Sequence, residues 1–145
     1  MDINVNFHYI EIDSIQYNTS SIIPTLSKIS TDFGFFITEI NYIFCTDDYL
    51  LKINQDYLNH DYYTDIITFD NSEEERQIES DIFISIDRVK ENAQSLSLLF
   101  EEELTRIICH GLLHLVGFKD KTESEQKEMR KNEDTYLSLW NESNS

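Results

Sequence analysis

The 145-residue chain carries 28 acidic and 11 basic side chains, a formal charge of −17, and is 40% apolar. That length suits one domain with a core of its own, read here as spanning 1–145, and the apolar and aromatic content excludes intrinsic disorder. The charge excludes general adhesion to DNA, RNA or an anionic membrane, and leaves room only for a local or metal-centred attraction of a polyanion.

In chain order, "INVNFHYIE" alternates Ile3, Val5, Phe7 and Tyr9 against Asn4, Asn6 and His8, the period of a strand with one buried face. Residues 13–20 are polar and read as a loop. Pro24 suits a helix start and Gly34 a helix stop, so a helix is expected over roughly 22–33. "FFITEINYIFC" is aromatic and β-branched and predicts a strand. "TDDYLLKINQDYL" opens on Thr46, a good N-cap, followed by two acids at the positive end of a helix; Leu50, Ile53 and Tyr57 form its apolar stripe.

"TDIITFD" and "SDIFISI" predict two strands, with the acidic "NSEEERQIES" as the loop between them. Asp87 is the expected cap of a helix "RVKENAQSL". "LFEEELTRIICHGLLHLV" predicts a long buried helix stopped by Gly117. "TESE" has the spacing of a capping box, Thr122 to Glu125, opening a last helix with Met129, Tyr136 and Trp140 on one side. Five of the eleven bases (Lys119, Lys121, Lys127, Arg130, Lys131) lie here among interleaved acids, which reads as a solvated helix face. The order βαβαββααα, with helices gathered at the end, predicts an α+β fold.

The longest apolar run, Ile107 to Phe118, is broken by His110 and His114, and no run approaches the ~18 residues of a membrane span. The opening has an acid at position 2 and lacks the cationic-then-apolar order of a signal peptide, which points to the cytoplasm. Cys45 and Cys109 lie in apolar stretches outside any Cys-x-x-Cys pair and read as buried, reduced thiols.

His110 and His114 stand at i and i+4, so on a helix their imidazoles share one face, about 5–6 Å apart at Cβ. Two readings stand. Each imidazole packs in the apolar stripe with one hydrogen bond, or both bind an ion. Satisfying two imidazoles in one apolar stripe is costly without partners. Gly111 beside them lowers helix propensity by about 1 kcal/mol, which makes sense if something must approach the backbone. Both points favour metal. Catalytic zinc usually takes three protein ligands, and Asp120, beyond the turn at Gly117, is the carboxylate placed to be the third.

"HGLLHLVGFKD" resembles the signature of the YbeY-type endoribonucleases, His-Gly-x-Leu-His-Leu-x-Gly-Tyr-Asp-His. His110, Gly111, Leu113, His114, Leu115 and Gly117 match, and the last ligand position, usually histidine, falls on Asp120. "YLNHDYYTDIITF" resembles a second family segment through Tyr57, Asp61, Thr64, Asp65 and Phe69; "ESDIFIS" resembles a third through Asp81 and Ser85. The resemblance implies a small metalloprotein with a mixed sheet of about four strands packed by helices. It implies one zinc ion, or another divalent metal, held by His110, His114 and Asp120 on and beside a helix of the C-terminal half. The implied activity is cleavage of single-stranded RNA. The implied setting is 16S rRNA 3′-end maturation and ribosome quality control, with the 16S rRNA precursor and the small ribosomal subunit as partners and neither DNA nor membrane.

Asp65 and Asp81 are candidates to orient a ligating histidine or line the groove; strand-end and turn acids are the competing reading. No carboxylate stands beside His110 in sequence to act as general base, so the nucleophile is expected to be water activated by the ion. A family arginine falls on Leu58, which leaves phosphate binding to be supplied otherwise; His60 and Arg88 are the nearby cations considered. The alternative function is a ribosome-assembly binding factor whose zinc is structural or weakly catalytic. A peptidase is disfavoured by Gly111 standing where H-E-x-x-H helices carry glutamate.

Overall fold

A computed structural model describes residues 3–144; Asp2, on which the reading of the chain's opening rested, lies outside them. The elements are β1 (Val5–Tyr9), α1 (Ile23–Asp32), β2 (Phe36–Cys45), α2 (Asp47–Leu58), β3 (Ile66–Asp70), β4 (Gln77–Ser85), α3 (Ile86–Leu96), α4 (Phe100–Leu115) and α5 (Glu123–Ser143). A 3₁₀ turn over Thr19–Ile22 precedes α1. The fold is α+β, in the order read from the sequence.

The sheet runs β1–β2–β4–β3, with β1, β2 and β4 parallel and β3 antiparallel at the edge. Strand β4 alternates, burying Ile78, Ser80, Ile82 and Ile84 on one face, while its other face is polar at Gln77, Glu79 and Asp81 and joins an apolar cluster only at Phe83. Tyr42 and Phe44 of β2 and Ile82 and Ile84 of β4 meet Leu26 of α1, Leu104, Ile108 and Leu112 of α4, and Met129, Tyr136 and Trp140 of α5. On the other face Cys45, Leu50 and Ile67 form a smaller cluster with Tyr49, Ile53, Phe69 and Phe83. Tyr42 is fully buried, and its hydroxyl donates to the Ile108 carbonyl at 3.2 Å, tying the sheet to α4.

The capping box of α5 forms as its spacing predicts: Thr122 Oγ1 accepts the Glu125 N–H at 3.1 Å and Glu125 Oε1 accepts the Thr122 N–H at 3.0 Å. Thr46 caps α2 through the Tyr49 N–H. Three details differ from the sequence reading. Strand β4 begins at Gln77, so it takes the end of the acidic loop. Ser85 rather than Asp87 caps α3, accepting the Arg88 N–H at 3.2 Å, while the Asp87 carboxylate accepts the Asp47 N–H at the start of α2. Tyr57 is 69% exposed: on the last turn of α2 it reaches only the ring of Phe69, and Asn54 takes the buried place, donating to the Tyr62 carbonyl. Among the described residues no helix is long and apolar enough to cross a membrane.

Candidate metal centre

Helix α4 carries the two histidines and lies very close to the sheet. A Cβ on Gly111 would stand 3.2 Å from Cδ1 of both Ile66 and Ile82, so the absence of a side chain lets the helix settle onto β3 and β4. What approaches the backbone at this glycine is therefore the sheet. Beyond Leu115 the chain turns through Gly117, whose φ of +113° is costly for any residue with a Cβ. The Gly117 and Phe118 N–H groups donate to the carbonyls of His114 and Leu113, which closes the helix end. This turn brings the Phe118 carbonyl back to His114 and swings Asp120 over both rings.

The two imidazoles meet edge to face, with centroids 4.5 Å apart. His110 Nδ1 lies 2.6 Å from a Glu133 carboxylate oxygen and His114 Nδ1 2.9 Å from the Phe118 carbonyl oxygen. Both partners accept, so each ring carries a proton on Nδ1 and faces Nε2 outward, where the neutral imidazole offers a lone pair. The two Nε2 atoms lie 3.5 and 3.3 Å from one oxygen of Asp120. Three lone-pair donors thus converge, all within 4.8 Å of one another, and each is partly exposed. Without a cation or proton between them these donors repel. Tetrahedral zinc with bonds of about 2.0–2.1 Å separates its ligands by about 3.3 Å, close to the two Nε2–Asp120 distances. The donor set fits a divalent ion, and two histidines with one carboxylate leave a position open.

Glu133 on α5 is 2% exposed. Its other oxygen accepts from Arg106 Nη1 at 2.8 Å, and Arg106 in turn forks onto Glu103 through Nε and Nη2. Burial would raise the Glu133 pKa, but the His110 hydrogen bond and the Arg106 charge outweigh it and hold the group below the usual carboxylate range. Burial by itself would favour a neutral Arg106, yet its bonds to Glu103 and Glu133 raise its pKa and keep it charged.

Two grooves meet at the triad. One, of about 470 Å³, runs along β3 past Thr64, Asp65, Thr68 and Asp70 to His110, His114 and Asp120. The other, of about 780 Å³, runs along α5, where Lys127, Arg130 and Lys131 stand among Glu123 and Asp134. The sequence candidates divide accordingly. His110, His114 and Asp120 come together, and Asp65 joins them on the groove wall, its carboxylate accepting from Asn92 at 3.3 Å.

Asp81 does not join them. It alternates with core-facing Ile82 and so points to the α2 face of the sheet, where it accepts from Asn41 and Asn71 at 3.1 and 3.4 Å. Leu58, His60 and Arg88 line neither groove: His60 stacks on Tyr62, and Arg88 is held by Asp47 at 2.7 Å and lies over Tyr63. Glu133, which contacts His110, is not among the residues singled out from the sequence. Its signal was its place on the stripe Met129, Glu133, Tyr136, Trp140.

The family model described as Endoribonuclease YbeY matches residues 3–141. The chain belongs to the YbeY family. A relative named Endoribonuclease YbeY from Cytophaga hutchinsonii is 59% identical over 114 residues, 79% of this chain and 80% of the relative. One of the same name from Flavobacterium psychrophilum is 47% identical over 136 residues, 94% of this chain and 96% of the relative. The solution structure of a Thermotoga maritima protein aligns with a TM-score of 0.66 at 24% identity, covering 95% of this chain and 90% of that one, a likeness of fold.

Proposed function

We propose that the chain is a zinc-dependent endoribonuclease that cleaves single-stranded RNA by hydrolysis. The observation that carries this reading is the convergence of His110 Nε2, His114 Nε2 and Asp120 Oδ2 at the spacing of ion ligands. Membership of the YbeY family and the relatives' name support the RNA substrate. When bound, the ion supplies Lewis acidity, activating water and polarising a phosphoryl oxygen. Asp65 is the carboxylate of the β3 groove that takes the proton from the attacking water, held in place by Asn92. Water attacks phosphorus, the bond to one ribose oxygen breaks, and that oxygen leaves with the bonding pair and takes up the proton released to Asp65, directly or through solvent.

In a chain of charge −17 the phosphates need local compensation, and Lys127, Arg130 and Lys131 on the α5 groove supply it in place of the missing arginine. The β3 groove sets Asp65, Asp70 and Asp120 against no lysine or arginine, which makes it the less favourable path for a polyanion, whereas the acids of the α5 groove are matched by Arg106, Lys127, Arg130 and Lys131. The cellular role we propose is 16S rRNA 3′-end maturation and ribosome quality control at the small subunit, in the cytoplasm.

The test uses zinc-loaded protein with single-stranded RNA, duplex RNA and peptides, each with and without chelator. Chelator-sensitive cleavage of the single strand is expected, and Asp120→Ala is expected to lose both zinc and cleavage. Zinc retained at wild-type affinity by Asp120→Ala would remove Asp120 from the ligand set. The second reading, an assembly factor with structural or weakly catalytic zinc, is favoured by Leu58 and by the acidic charge of the chain. It predicts ribosome binding by a metal-loaded protein that cleaves none of these substrates.

A further inference from the structure

We propose that Glu133 is the positioning residue that fixes His110 for the ion, and that ion binding and the docking of α5 are coupled through it. This rests on reading His110, His114 and Asp120 as metal ligands. Glu133 reaches His110 from another helix, 23 residues on, and lies between Met129 and Tyr136 on the buried stripe of α5.

A buried carboxylate is retained only with partners. Arg106 does not need Glu133 for charge balance, because Glu103, itself fully buried, already neutralises it through a two-pronged contact. Arg130 approaches the same Glu133 oxygen only at 3.7 Å, from a half-exposed side chain. A structural ion pair would be complete with Glu103 and Arg106. Glu133 adds a surplus negative charge, and the group left to receive it is His110, at 2.6 Å.

That charge has a use at the ion. Two neutral histidines and Asp120 leave a dication with one unit of positive charge, and Glu133 behind His110 cancels it. His114 receives only the neutral Phe118 carbonyl. His110 is therefore the more electron-rich imidazole and the tighter ligand, and its tautomer is fixed from α5. The site draws on three consecutive pieces of chain: His110 and His114 on α4, Asp120 in the turn, Glu133 on α5. If docked α5 strengthens ion binding, the ion must strengthen the docking of α5 by the same factor.

The test compares the full-length chain with Glu133→Gln, which keeps the shape and removes the charge. Zinc affinity is measured by chelator competition, histidine tautomers by nitrogen NMR on the zinc-free proteins, and exchange of α5 amides with and without zinc. The Gln variant is expected to bind zinc 10–100-fold more weakly. His110, but not His114, is expected to lose its single Nδ1–H tautomer. Zinc is expected to slow α5 exchange in the wild type by a factor that shrinks in the variant. Should Glu133→Gln fail to fold, Glu133→Asp, which keeps the charge beside Arg106 but withdraws it from His110, is expected to show the same pattern. Wild-type zinc affinity and an unchanged His110 tautomer in the folded variant would overturn the proposal while leaving the metal reading intact. A wild-type chain that binds no zinc would overturn the metal reading itself.

Discussion

Gly111→Ala opposes two effects of known size. Alanine in a helix interior is favoured over glycine by about 1 kcal/mol. Against this, the new methyl would stand 3.2 Å from Cδ1 of Ile66 and Ile82 and 3.4 Å from Cγ2 of Ile82. Ile66 is half-buried on the edge strand and its terminal methyl has room to swing. Ile82 is fully buried on β4, so its side chain, stiff at χ1 through β-branching, has little room to turn away. Overpacking of this kind costs about 1–3 kcal/mol, and with one rigid neighbour of two the middle of that range applies. The net expectation is a loss of about 1 kcal/mol, read by urea unfolding as a lower midpoint at unchanged slope. A variant as stable as the wild type, or more so, would show that helix propensity wins and that the approach of α4 to the sheet is not tight.

Replacing Lys127, Arg130 and Lys131 together by alanine is expected to weaken single-stranded RNA binding and flatten its log–log salt slope by about 2, measured by fluorescence anisotropy; an unchanged slope would move the RNA path off α5. Asp32 has its pKa lowered from 3.8, first by the hydrogen bond from Lys28 and then by that from Tyr136, so its contribution to stability is present above that value and is lost as pH falls through its lower folded pKa. Asp32→Asn is therefore expected to be less stable than wild type at pH 6, the gap closing toward pH 2 in thermal unfolding; a gap independent of pH would refute this. Burial pushes the thiols of Cys45 and Cys109 up to about 12, so neither is expected to react with an alkylating reagent at pH 8 until the protein unfolds. Rapid labelling of the native protein, followed by mass spectrometry, would contradict that burial.

Much of this site was legible because its ligands are local. His110, His114 and Asp120 occupy one short segment whose helical spacing and terminal glycine can be read directly, and the capping box of α5 is equally local. What escaped depends on tertiary contact. Asp81 and Asp65 look alike as strand acids, yet pleating sends one to the α2 face and leaves the other on the groove wall. Glu103, Arg106 and Glu133 resemble ordinary helix charges until α4 and α5 pack and bury them together. Ser85 displaced Asp87 as a cap because β4 runs directly into α3, so the helix starts two residues early.

All three proposed ion ligands fall within the eleven residues from His110 to Asp120. By contrast, the parallel pairing of β2 with β4 joins residues about 40 positions apart, as Asn41 with Asp81, and closes a long loop before it gains anything. An ion can therefore engage this segment in a chain whose sheet has not yet formed. A ligand that also binds the unfolded state stabilises the fold by less than its full affinity, in proportion to the difference between the two states. Here that difference resides in what only the assembled protein adds, the carboxylate that α5 places behind His110. On the proposed metal reading, an ion can engage this segment before the sheet closes and is tightened when α5 docks.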